Sequence, residues 1–121
     1  MKLVQSICFV ALTILAVSCS DDSGLSLNLT SPNDGASFTG GQSINVAGLA
    51  TDDVAVASLI IDIPELSINQ TLPANNTPSQ DFTFTIDVAL GTPPMEEINI
   101  SVTAVDNEGN QESDERQISI Q

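Results

Sequence analysis

The chain predicts an all-β domain: an antiparallel sandwich of six to seven short strands behind a removable N-terminal leader. Three observations lead there. Apolar residues recur with a period of two in segment after segment, clusters of turn-forming residues separate those segments, and no window carries the 3.6-residue periodicity of an amphipathic helix.

Taken in order, Leu25, Leu27 and Leu29 alternate and predict a strand over 25–29, ended by the turn-rich Ser31-Pro32-Asn33-Asp34-Gly35. Ile44 and Val46 alternate up to Gly48, giving a strand over 43–49, and Thr51-Asp52-Asp53 forms the corner that follows. Val54 and Val56 lead into Leu59-Ile60-Ile61-Asp62-Ile63, a strand over 56–63. The stretch from Leu66 to Gln80 is rich in Asn, Gln, Thr and Pro and is expected to be a connection across the sheets, with room for a short seventh strand at an edge within 65–79. Phe82, Phe84, Ile86 and Val88 predict a strand over 81–88, and Thr92-Pro93-Pro94 a rigid turn after it. Ile98, Ile100, Val102 and Ala104 predict a strand over 98–105, and Ile118 and Ile120 one over 115–120. Many of these positions are β-branched, which favours a pleated backbone over a helix. Phe38, Phe82 and Phe84 are the aromatic residues available to the core, since the chain has neither Trp nor Tyr. Pro64 and Pro73 are placed to discourage edge-to-edge sheet pairing.

The first 18 residues stand apart. Lys2 is followed by a mostly apolar run from Leu3 to Val17 and the small residue Ser18 before Cys19. About 15 residues of helix reach only about 22 Å, short of the roughly 30 Å hydrocarbon core, so the segment reads as a secretory signal rather than a membrane span. The expected organisation is a signal peptide over 1–18, a short acidic tether over 19–24 and one domain over 25–121. Cys8 leaves with the leader, so no disulfide is available to the domain.

Charge and composition exclude several functions. All 16 acidic residues lie beyond the leader, and of the two basic residues Lys2 belongs to the leader, leaving Arg116 alone in the body. Such a surface repels nucleic acid, whose binding needs Lys and Arg to displace counterions. With no histidine in the chain and no spare thiol after the leader, imidazole bases, thiolate nucleophiles and zinc sites of ordinary ligands are ruled out. The carboxylate pairs Asp52-Asp53 and Glu96-Glu97 sit on expected exposed corners, without the surroundings that raise a carboxyl pKa. No enzyme is expected.

Two parts of the chain resemble known families. Ala16-Val17-Ser18-Cys19 resembles a bacterial lipobox, with Ala16 where leucine is commonest, and Ser20-Asp21-Asp22 resembles the export signal of Bacteroidetes surface lipoproteins. The resemblance implies cleavage before Cys19, lipidation there, and anchoring in the outer membrane with the domain exposed at the cell surface. A thioether lipid together with an amide-linked chain makes such an anchor durable, at roughly 0.8 kcal/mol per buried methylene. The remainder resembles bacterial immunoglobulin-like or fibronectin-type surface modules. Ser31-Pro32-Asn33-Asp34-Gly35 and Ile44-Asn45-Val46-Ala47-Gly48 match their opening, Asp52-Asp53 a corner, and Thr103-Ala104-Val105-Asp106-Asn107-Glu108-Gly109-Asn110 their closing hairpin. The resemblance implies an immunoglobulin-like sandwich; it implies little about function, because such modules serve as spacers, adhesins and binding accessories.

In that sandwich the 50s corner and the 106–110 turn meet at one end, the end that also carries the tether. Asp52, Asp53, Asp106, Asn107 and Glu108 are then candidate calcium ligands, with Glu112 and Asp114 on the rim. The stronger reading of the same residues is plain turn chemistry, with Asp106 capping the turn. At the other end lie Asn33 to Gln42. Asn69, Gln70, Asn75 and Asn76 are candidates for a recognition loop toward a protein or glycan. The expected function is a non-catalytic binding or adhesion module on a cell-surface lipoprotein; the alternative is a passive structural part of an envelope complex.

Overall fold

The computed structural model of the protein describes residues 24–121. Eight strands follow in chain order: β1 Ser26–Ser31, β2 Ser37–Phe38, β3 Ser43–Thr51, β4 Val56–Ile63, β5 Ile68–Pro73, β6 Ser79–Asp87, β7 Met95–Asp106 and β8 Gln111–Ile120, with one 3-10 turn at Pro64–Leu66. They form two sheets, one of three strands in the order β1-β3-β6 and one of five in the order β2-β8-β7-β4-β5. All pairings are antiparallel except β2 with β8, which run parallel.

Alternation decides which face each strand buries. Ile44, Val46 and Ala50 from β3 point inward against Ile98, Ile100, Val102 and Ala104 from β7, Leu59, Ile61 and Ile63 from β4, and Ile118 and Ile120 from β8, to form one continuous core. Gly48 occupies the inward slot between Val46 and Ala50 because nothing larger fits. A Cβ there would lie 2.6 Å from the Asn28 carbonyl oxygen and 3.0 Å from the Phe82 ring, which packs over the gap. In β4 the inward set runs Val56, then Leu59, Ile61 and Ile63, an odd step that a strict period of two forbids. A register shift between Val56 and Ser58 absorbs it.

The chain changes sheets at Ser31-Pro32, a cis peptide, before the Asn33 to Gly35 turn. Proline has no N–H for a ladder, so β1 ends there and β2 resumes on the opposite sheet. The crossing is held by the Gly35 N–H on the Gln117 carbonyl (2.6 Å) and the Gln117 N–H on Asp34 Oδ1 (2.7 Å).

Two expectations are corrected and one is met. The strand count is eight, because β2 has only two residues and leaves no periodicity to read. The short edge strand for which 65–79 left room is present: β5 spans six residues of the Leu66 to Gln80 segment and pairs with β4 from Ile63↔Ile68 to Ser58↔Pro73. Its signal is faint because an edge strand half-buries only Ile68 and Leu72 and leaves the rest polar. Finally, β7 starts at Met95 and β8 at Gln111, both earlier than 98 and 115. The first residues of β8 are polar but paired, with Thr103 Oγ1 and Ser113 Oγ sharing a 2.7 Å hydrogen bond across the ladder.

Candidate functional site

Two places on the domain carry more than scaffold chemistry: the end where β3, β4, β7 and β8 turn, and the lateral opening between the sheets.

At the end, Thr51 closes β3 and the chain turns through residues 52–55 into β4. Asp52 shapes that turn, because its Oδ2 accepts the N–H groups of Val54 and Ala55, both at 3.0 Å. Residues 77 and 78 cover it: the Asp52 N–H donates to the Pro78 carbonyl (2.8 Å) and the Val56 N–H to the Thr77 carbonyl (2.9 Å). Opposite, Asp106 ends β7 and organises the hairpin to β8. Its Oδ1 accepts the N–H groups of Glu108 (2.9 Å) and Asn110 (2.8 Å), and its Oδ2 accepts Asn110 Nδ2 at 2.9 Å. Gly109, with φ of 86°, supplies the left-handed step. Burial pushes the Asp106 carboxyl up, but the hydrogen bonds from Asn110 and Glu108 outweigh it and hold the group below its ordinary value. Asp52 and Asp106 are the buried charged side chains among the described residues, at 6% and 3% exposure.

The structure therefore brings together two of the five candidate calcium ligands. Asp53 is exposed and lies against Gly24, while Asn107 and Glu108 are exposed and Glu108 serves the turn through its backbone N–H. Among the described residues no three acidic, His or Cys side chains converge on one point. Glu112 is exposed on β8. Asp114 is not on the rim of this end: its Oδ2 accepts the Leu29 N–H (3.1 Å) and its Oδ1 meets Arg116 Nη1 at 3.3 Å. Arg116 Nη2 in turn donates to the Leu29 carbonyl at 2.7 Å, so Asp114 and Arg116 stitch β8 to β1 across the sheets. The candidate recognition residues do not form one loop. Asn69 and Gln70 lie on β5, with Asn69 Nδ2 on Asp62 Oδ1 (3.2 Å), and only Asn75 and Asn76 sit in the β5–β6 turn. Cys19, Ser20, Asp21 and Asp22 lie outside the described residues.

The lateral opening was not anticipated in this form. Where β5 and β6 form neighbouring edges of opposite sheets, a cavity of about 250 Å³ opens, lined by Leu66, Ile68, Ile86, Val88, Thr92 and Ile120. It exists because β5 belongs to one sheet and β6 to the other, with no strand closing the side between them. The one sequence signal for it is the pair Leu66 and Ile68 inside an otherwise polar stretch.

A model of the bacterial Ig domain family matches residues 26–93, more than half of the chain. The chain belongs to that family. Solved structures agree on the fold. The fibronectin(III)-like modules of Clostridium thermocellum CbhA superpose with a TM-score of 0.60 at 15% identity, covering 78% of this chain and 94% of theirs. The superoxide reductase (neelaredoxin) of Ignicoccus hospitalis superposes at 0.51 and 12% identity over 84% of this chain and 85% of that one. An engineered protein does so at 0.51 and 13% over 80% of this chain and 20% of that one. At such identities the likeness is one of fold alone. No curated protein matches the sequence. This bacterial Ig domain is a two-sheet sandwich of the Ig/fibronectin-type class.

Proposed function

We propose that this bacterial Ig domain is the surface-displayed binding module of a lipoprotein, held to the outer membrane through lipid on Cys19. The observation that carries the reading is the order of the first 22 residues: Lys2, a short apolar run, Ala16-Val17-Ser18 and Cys19, then Ser20-Asp21-Asp22. A lipobox-like cysteine directly before a folded domain is the arrangement of a tethered module. Binding is favoured over a passive envelope role by the apolar side opening beside Leu66 and Ile68, because a concave apolar surface bounded by strand edges suits a protein or glycan partner.

The test is the intact mass and protease accessibility of the protein in whole cells, wild type against Cys19→Ala. An acylated N-terminus at Cys19, with the domain shaved from intact cells, is the expected result. An unacylated product free in the periplasm or medium would sink the anchor; an acylated but protease-resistant one would turn the domain toward the periplasm and against a surface role.

A further inference from the structure

The carboxyl groups of Asp52 and Asp106 present an unbalanced set of acceptors. Five N–H groups, those of Val54, Ala55, Glu108, Asn110 and the Asn110 side chain, point at three of the four oxygens. The fourth, Asp52 Oδ1, is enclosed without a hydrogen-bond partner. It belongs to a side chain only 6% exposed, on the turn that leads into Val56, the residue paired with Asp106. An ionised carboxylate has about four acceptor positions, so the free ones lie mainly on Asp52 Oδ1, with one more on Asp106 Oδ2. A buried acceptor left unmatched is costly, and two neighbouring carboxylates with nothing positive between them repel. The domain has no cation of its own to send there: Arg116 is its sole basic side chain among the described residues and is engaged with Asp114 and Leu29.

We infer that Asp52 Oδ1 and Asp106 Oδ2 are the carboxylate ligands of a divalent-cation site that joins the β3–β4 turn to the β7–β8 hairpin. Its chemistry selects calcium. The donors are oxygens only, which disfavours zinc, and the set is irregular and built on turns, which suits a large ion of flexible coordination. Loop carbonyls and water complete the shell. Two carboxylates place the affinity in the range of extracellular modules, about 10⁻⁴ to 10⁻³ M. The inference stands independently of the lipid anchor.

The experiment is thermal unfolding of the full chain in detergent at pH 7, in 10 mM calcium chloride and in sodium chloride of equal ionic strength. Calcium is expected to raise the midpoint by about 10 °C beyond the sodium control. Asp52→Asn should abolish that increment, whereas Asp53→Asn and Glu108→Gln should keep it. An increment that survives Asp52→Asn marks diffuse screening and overturns the site. So does an absent increment joined to a gain of stability on mild acidification, which identifies a shared proton instead. If Asp52→Asn fails to fold, amide shifts of the wild-type chain decide: saturable changes confined to 52–55 and 106–110 support the site, and changes spread over the acidic surface refute it.

Discussion

At the scale of single residues, Asp106 does the most with the fewest atoms. One carboxylate closes a hairpin by accepting two backbone N–H groups and the side chain of Asn110. Those bonds favour the charged form and hold the carboxyl below its ordinary value of 3.8 despite burial. Because the folded state binds this proton less readily than the unfolded chain, the stabilisation is complete above the ordinary value and fades as pH falls through the lower folded one. Asp106→Asn should therefore lower the melting temperature at pH 7, and the gap from wild type should narrow steadily below about pH 4. Melting curves across pH 2–7 check it; a constant gap would mean that the charge is irrelevant. Sequence singled out Asp106 as the cap of its turn but could not separate Asp52 from Asp53, Asn107 and Glu108. Which carboxylate turns inward depends on where each strand stops, and a residue count fixes strand ends poorly. The i+4 partner Asn110 stood in the sequence as part of the closing hairpin, yet only the folded turn shows that its amide is spent on Asp106.

At the scale of elements, the sheets are joined at one side and open at the other. On the joined side, β1 and β8 belong to different sheets and are tied by Arg116 on the Leu29 carbonyl and Asp114 on the Leu29 N–H. Arg116→Ala removes a charged donor from a part-buried carbonyl and leaves Asp114 without its cation, which should cost about 2 kcal/mol, roughly 10 °C of melting temperature. Urea unfolding of this variant checks it, and Arg116→Lys should recover only part of the loss because an ammonium lacks the two-pronged reach of a guanidinium. The strands that pack their alternate residues fully, such as β3 and β7, were legible from spacing alone. The bounds of the edge strand β5, the two-residue β2 and the first half of β8 were not, since each gains its place from a neighbour's backbone and buries little of its own. The Asp114–Arg116 tie left one clue: residues two apart on a strand share a face, and one of them is the domain's lone base.

At the scale of the whole molecule, the net charge of −14 works against compactness. Raising sodium chloride from about 0.05 to 0.5 M shortens the screening length severalfold and should raise the melting temperature by about 3 °C even without a specific ion. A flat response would show the charges already offset locally. The poles of the molecule also differ. Ser26, Thr51 and Asp106 mark one, and Met95 and Ile120, paired with each other, mark the opposite one, so residues 26 and 120 lie far apart along the long axis. Tension applied between them meets the parallel pairing of β2 with β8 lengthwise. The hydrogen bonds Gly35 to Gln117, Gln117 to Asp34, Ser119 to Ala36 and Gln121 to Phe38 then share the load side by side rather than opening one after another. A two-residue strand too short to read in the sequence thus sets its hydrogen bonds so that a pull along the long axis loads them together rather than in turn.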